Sequence, residues 1–127
     1  MVNIDLKDAG GLPLAYLGDA VWELAVREYF VEKGYKINIM NKKVKNLVNA
    51  KAQSVIFKSI LEELDEGYKA VARRAKNSNI KSFPRSCSIM EYREATAFEA
   101  LIAAFYINGE TIRIRKILEN HISEGEK

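Results

Sequence analysis

The 127-residue sequence holds one cysteine, Cys87, and one histidine, His121. A single cysteine excludes an internal disulfide and suits a reducing compartment. The single histidine sits in the polar tail ENHISEGEK, so the chain has no His and Cys cluster for zinc and no base for a Ser/His or Cys/His nucleophile. Any catalysis by this chain has to rest on carboxylates. No stretch reaches the roughly 18 consecutive apolar residues of a membrane span, so no membrane partner is expected. The opening MVNIDLKDAGG lacks the basic-then-apolar layout of an export signal, and the expected location is the cytoplasm. Internal repeats, low-complexity tracts and linkers are also missing, and no alternating strand pattern of useful length appears.

What is present suits one compact helical domain over residues 1–127. The composition is 48% hydrophobic, enough for a real core at this length. Pro13 suits a first helical turn, and apolar residues then run to Val31 before Gly34, a helix stop. A second helical block extends from about Lys42 to Leu64, with Val44, Leu47, Val48, Ala52, Val55, Ile56, Ile60 and Leu64 at helical spacing and a break expected near Lys51. The segment DEGYKAVARRAKN reads as a short helix with Asp65 near its start, and NSNIKSFPRSCSIM as a loop around Pro84. A strongly apolar helix, REATAFEALIAAFYI, begins near Arg93 and closes at Asn108-Gly109, and a last helix spans roughly Thr111 to His121. The expected fold class is all-α.

Charge is distributed unevenly although the net value is only +3. Lys36, Lys42, Lys43, Lys45, Lys51 and Lys58 lie in one acid-free segment, and Lys69, Arg73, Arg74, Lys76, Lys81 and Arg85 in another. Each segment alone is compatible with a solvated helix face. Two of them in one small domain lean toward a polyanion with a phosphate backbone. Arg73 and Arg74 have a competing use, pairing with Glu62, Glu63 or Asp65 to fix local helices.

Two acids stand alone among apolar residues. Asp19, in LAYLGDAVWELAVREY, has Ala15, Tyr16, Trp22 and Glu23 as its helical neighbours. Glu99 is the sole acid between Ala95 and Ile107, and its neighbours are Ala95, Thr96, Ile102 and Ala103. Burying an unpaired carboxylate is expensive, so each acid must be neutralised, paired or bound to a cation. Small neighbours allow close helix approach, and two such helices can bring both acids together. Paired carboxylates repel unless one takes a proton or a cation intervenes, and hard oxygen ligands suit magnesium or manganese. Pairing with a buried Lys or Arg, or capping of a neighbouring helix, remains the alternative for each.

The wording of the two segments is more specific than their composition. LAYLGDAV resembles the signature of the ribonuclease III family, usually close to LEFLGDAV. ATAFEALIAAFYINGE is similar to the family's second acidic motif, and both occur in the family's order. The resemblance covers the whole chain as one catalytic domain with no double-stranded-RNA-binding domain after it. With AKAQSVIF and RRAKNSNIK, it is similar to the mini-ribonuclease III branch. Two glutamates of the usual signature are replaced by Leu12 and Ala15, and the second motif's aspartate by Thr96.

The resemblance implies a ribonuclease III-type helical domain that works as a homodimer and cuts double-stranded RNA with magnesium, manganese being a substitute. The products would carry 5′-phosphate and 3′-hydroxyl ends. Precursor ribosomal RNA of the large subunit is the implied substrate, and a ribosomal protein is a candidate accessory partner. Asp19 and Glu99 match the catalytic, metal-binding acids. Thr96, one turn before Glu99, and Glu23, one turn after Asp19, are candidates to support the site, although core packing and a surface salt bridge suit them better. Tyr16 matches an aromatic that enters the partner subunit. Lys51, Arg73, Arg74, Lys76, Lys81 and Arg85 form the pool of expected RNA contacts. The rival is a noncatalytic RNA-binding or ribosome-assembly module of the same fold.

Overall fold

The computed structural model describes residues 2–122; Met1 and residues 123–127, including most of the polar tail, lie outside the described residues. The described residues form α1 (Gly11–Glu32), α2 (Ile37–Lys45), α3 (Ala50–Ile60), a 3-10 turn (Leu61–Glu63), α4 (Glu66–Lys76), α5 (Ile89–Ile107) and α6 (Thr111–Glu119), with no strand among them. The all-α expectation holds.

α5 is the centre of the molecule. From Glu94 to Phe105 every residue but Glu99 is buried, and α1, α3 and α4 pack around it. A helix apolar on all sides can be stable only with such a position. Its alanines let neighbours approach, while Phe98 and Phe105 fill the space between them. Phe98 meets Trp22 of α1 edge to face, with centroids 4.8 Å apart, and Phe105 meets Tyr68 of α4 in the same way at 4.7 Å. The Trp22 indole also donates to the Leu47 carbonyl at 2.9 Å, which ties α1 to the link between α2 and α3.

Local chemistry sets the helix ends. Gly34 follows α1 with φ of +76°, a left-handed conformation that glycine adopts without steric cost. The long second block is two helices. Asn49 separates them, donating from its side chain to the Lys45 carbonyl and accepting from the Ala52 N–H, both at 2.9 Å. The break therefore lies just before the expected Lys51, because an asparagine that caps one helix and closes another ends both. Asp65 caps α4 through the Tyr68 N–H. α5 starts at Ile89, a full turn before Arg93. Ser88 accepts from the Glu91 N–H at 3.0 Å, and Glu91 accepts from the Ser88 N–H at 2.8 Å. The reciprocal pair stabilises a first turn, Ile89 to Tyr92, whose weak apolar periodicity gave no other sign of a helix.

Candidate metal centre

α1 and α5 meet backbone to backbone where the two lone acids lie. A Cβ added to Gly18 would fall 1.6 Å from the Glu99 carbonyl oxygen. Only a glycine allows the two backbones to meet there, and the contact sets Asp19 beside Glu99. The two carboxyl groups lie within hydrogen-bonding reach of one another.

Their environments differ. Glu99 is half-buried, whereas Asp19 is exposed, so the burial expected for Asp19 is corrected. α1 is apolar along most of its surface, but only the side bearing Leu14, Ala15, Gly18, Trp22, Val26, Tyr29 and Phe30 is buried. Leu12, Tyr16, Leu24 and Val31 remain in solvent, Tyr16 at 87% exposure. A sequence pattern cannot distinguish an apolar face covered by the domain's own core from one left bare. Asp19 lies near the boundary between the two faces, where water and a phosphate can both reach it.

Burial pushes the Glu99 carboxyl up to about 9, and the hydrogen bond and charge of Asp19 push in the same direction. A carboxyl raised so far holds its proton at neutral pH until a stronger electrophile replaces it. Two hard oxygen donors at a solvent-facing edge suit a small divalent cation, since magnesium is commonly held by one or two carboxylates with the other positions given to water and phosphate. No group of three or more His, Cys, Asp or Glu side chains able to hold a metal occurs among the described residues. Asp19 and Glu99 form a pair of carboxyls, the donor type such an ion takes.

Both supporting candidates have partners within their own helices. Thr96 is buried, and its hydroxyl donates to the Tyr92 carbonyl at 2.8 Å, within its own helix. Glu23 forms an exposed ion pair with Arg27 one turn along α1. The most deeply buried acid of α5 is Glu94, which lay just outside the stretch singled out in the sequence. Its carboxylate accepts from the buried Ser54 hydroxyl of α3 at 2.7 Å, so a hydrogen bond from a neighbouring helix satisfies it.

The six basic candidates fall into four settings. Lys51, exposed in the first turn of α3, lies close enough to Glu91 to help hold that carboxyl below its ordinary range, behind the hydrogen bond from Ser88. Arg73 and Lys76 line a groove between α3 and α4 together with Lys69 and one acid, Glu62, beside the apolar Phe57, Leu61 and Ala72. Arg74 points the other way and donates to the Leu6 and Ala9 carbonyls, pinning the segment before α1. Neither arginine pairs with Glu62, Glu63 or Asp65 among the described residues. Lys81 and Arg85 are exposed on the loop between α4 and α5.

The family described as "Ribonuclease III domain" matches residues 12–110, a span that contains both acids and all six basic candidates. A "Mini-ribonuclease 3-like protein" of Ilyobacter polytropus is 94% identical over 127 residues, covering 100% of both chains. One of the same description from Fusobacterium nucleatum is 54% identical over 122 residues, covering 96% of this chain and 94% of that one. A "Mini-ribonuclease 3" of a Thermoanaerobacter species is 38% identical over 109 residues, 85% of this chain and 77% of its own. Among solved structures, a crystal structure of a Fusobacterium nucleatum protein superposes with a TM-score of 0.86 at 52% identity, covering 94% of this chain and 98% of that chain.

Proposed function

The chain belongs to the ribonuclease III domain family, and from that premise we propose that it is a magnesium-dependent endoribonuclease of double-stranded RNA, maturing precursor ribosomal RNA of the large subunit. The observation that carries this reading is the Asp19–Glu99 pair, two carboxyls set side by side where Gly18 lets α1 meet the α5 backbone, one of them raised to about 9. A bound magnesium would supply a hydroxide-like nucleophile and offset charge on the phosphoryl group. Asp19 and Glu99 would hold the ion, and the buried surroundings of Glu99 would limit the water that competes for it.

The remaining parts fit a duplex ligand. A-form RNA is recognised through its shape, phosphates and 2′-hydroxyls, which suits exposed Lys51, Arg73, Lys81 and Arg85 more than any pocket for a base. The bare apolar stripe of α1, from Leu12 through Tyr16 and Leu24 to Val31, supports a homodimer that buries it. A twofold dimer then presents equivalent sites to the two antiparallel strands. Cleavage at each would leave 5′-phosphate and 3′-hydroxyl ends. No helix among the described residues is long and apolar enough to cross a membrane.

A noncatalytic RNA-binding or ribosome-assembly module has one observation in its favour: Leu12, Ala15 and Thr96 leave two acids where the family's motifs carry more. Incubation with a duplex from precursor large-subunit ribosomal RNA, with and without magnesium, separates the readings. The enzyme yields discrete 5′-phosphorylated fragments only with the metal. Binding with no cleavage under either condition would favour the module, and a ribosomal protein added to the same reaction tests for an accessory.

A further inference from the structure

The carboxyl end of α4 is completed by a side chain from another helix. A helix ends with carbonyls that need donors from outside its regular pattern. The Arg73 carbonyl accepts from the Asn77 N–H at 3.0 Å, Arg74 from the Ser78 hydroxyl at 3.0 Å, and Ala75 from the Ser78 N–H at 3.2 Å. The last, Lys76, accepts from Nη1 of Arg93 at 2.9 Å, and the same nitrogen donates to the Ser78 carbonyl at 3.1 Å. A guanidinium at this position also meets the partial negative charge of a helix end. Arg93 is half-buried and forms no ion pair with any described carboxylate.

What leaves this junction is the basic loop. From Asn79 to Cys87 the chain has no helix and carries Lys81 and Arg85 in solvent. Its far end enters the Ser88–Glu91 capping pair, and between the ends the Phe83 ring lies 6.3 Å from that of Tyr92. Every one of these holds is made to the first two turns of α5, the helix that carries Glu99. The loop is therefore mounted on the helix that carries Glu99, and of these contacts with α5 the Arg93 pair of hydrogen bonds is the one at its departing end.

We propose that Arg93 is a positioning residue for the RNA, fixing the start of the loop on α5 so that Lys81 and Arg85 meet the phosphate backbone in register with Glu99. The inference rests on the reading of this loop as an RNA contact. Arg93 itself touches neither RNA nor metal. A lysine carries its ammonium on a flexible stem without the fixed N–H directions of the planar guanidinium, so it would hold the two carbonyls less firmly.

The test uses the full chain with Arg93→Ala and Arg93→Lys, and two readouts. Without RNA, trypsin cleavage after Lys81 and Arg85 should be faster by about tenfold in Arg93→Ala and by less in Arg93→Lys, as expected when a held segment opens locally. With duplex RNA, KM should rise by about fivefold or more while kcat changes by less than about twofold. Unchanged trypsin cleavage, or a fall in kcat with KM unaltered, would overturn the proposal. If Arg93→Ala does not fold, Arg93→Lys carries the test with the same directions. A Lys81→Ala, Arg85→Ala double variant isolates the premise. Should it leave KM unaltered while the Arg93 variants loosen the loop, the loop does not contact RNA and the proposal falls with that reading.

Discussion

Glu99 couples the site to stability through its proton. Its ordinary value of 4.5 is raised to about 9 in the fold. Between those values the folded protein retains a proton that the unfolded chain releases, so stability is lost as pH rises through the window. The metal-free protein should melt at progressively lower temperature from about pH 5 to about pH 9, and Glu99→Gln should flatten the profile. Magnesium should restore stability most at the alkaline end, where it has least proton to displace. A metal-free profile as flat in the parent as in Glu99→Gln would contradict the coupling. At this scale the sequence identified both acids, because each stood alone among apolar neighbours in a motif. Their unequal exposure was not legible, since it depends on which face of α1 the core covers.

Among the elements, α4 separates two uses of adjacent arginines. Arg74 holds the Leu6 and Ala9 carbonyls, while Arg73 shares a groove with Lys69, Lys76 and the single acid Glu62. Arg74→Ala should lower stability by about 1 kcal/mol, the worth of a typical intramolecular hydrogen bond, and leave the salt dependence of RNA binding unaltered. Replacing Arg73 and Lys76 together should do the reverse, weakening binding and flattening its salt slope by about one unit per lost phosphate contact. Calorimetric melting beside binding at several salt concentrations reads both. Equal loss of affinity in the two variants would place Arg74 on the RNA as well. The doublet RR cannot reveal this division, because it depends on where residues 6–9 fold back. The helices themselves were largely readable. α1 announced itself through Pro13 and Gly34, and α4 through Asp65. The start of α5 was written as Ser88-x-x-Glu91, but the short polar turn it encloses lacks the apolar spacing that marks the rest.

For the whole molecule, the bare stripe of α1 and the acid pair beside it make one prediction about assembly and one about chemistry. Tyr16, 87% exposed, is the most exposed large hydrophobic residue described. Tyr16→Asp should convert a dimer at micromolar concentration into a monomer by sedimentation, since it puts a charge into an apolar interface. A monomeric parent protein would count against the dimer directly. The central claim is that Asp19 and Glu99 hold the ion that cleaves RNA, and it is tested most directly by the single-turnover cleavage rate of Asp19→Asn on duplex RNA in saturating magnesium. The amide keeps the side chain's shape and removes the charge. The rate should fall by about a thousandfold, the loss of several kcal/mol of transition-state stabilisation, with the helical fold intact. A folded Asp19→Asn protein cleaving at the parent's rate would contradict the account.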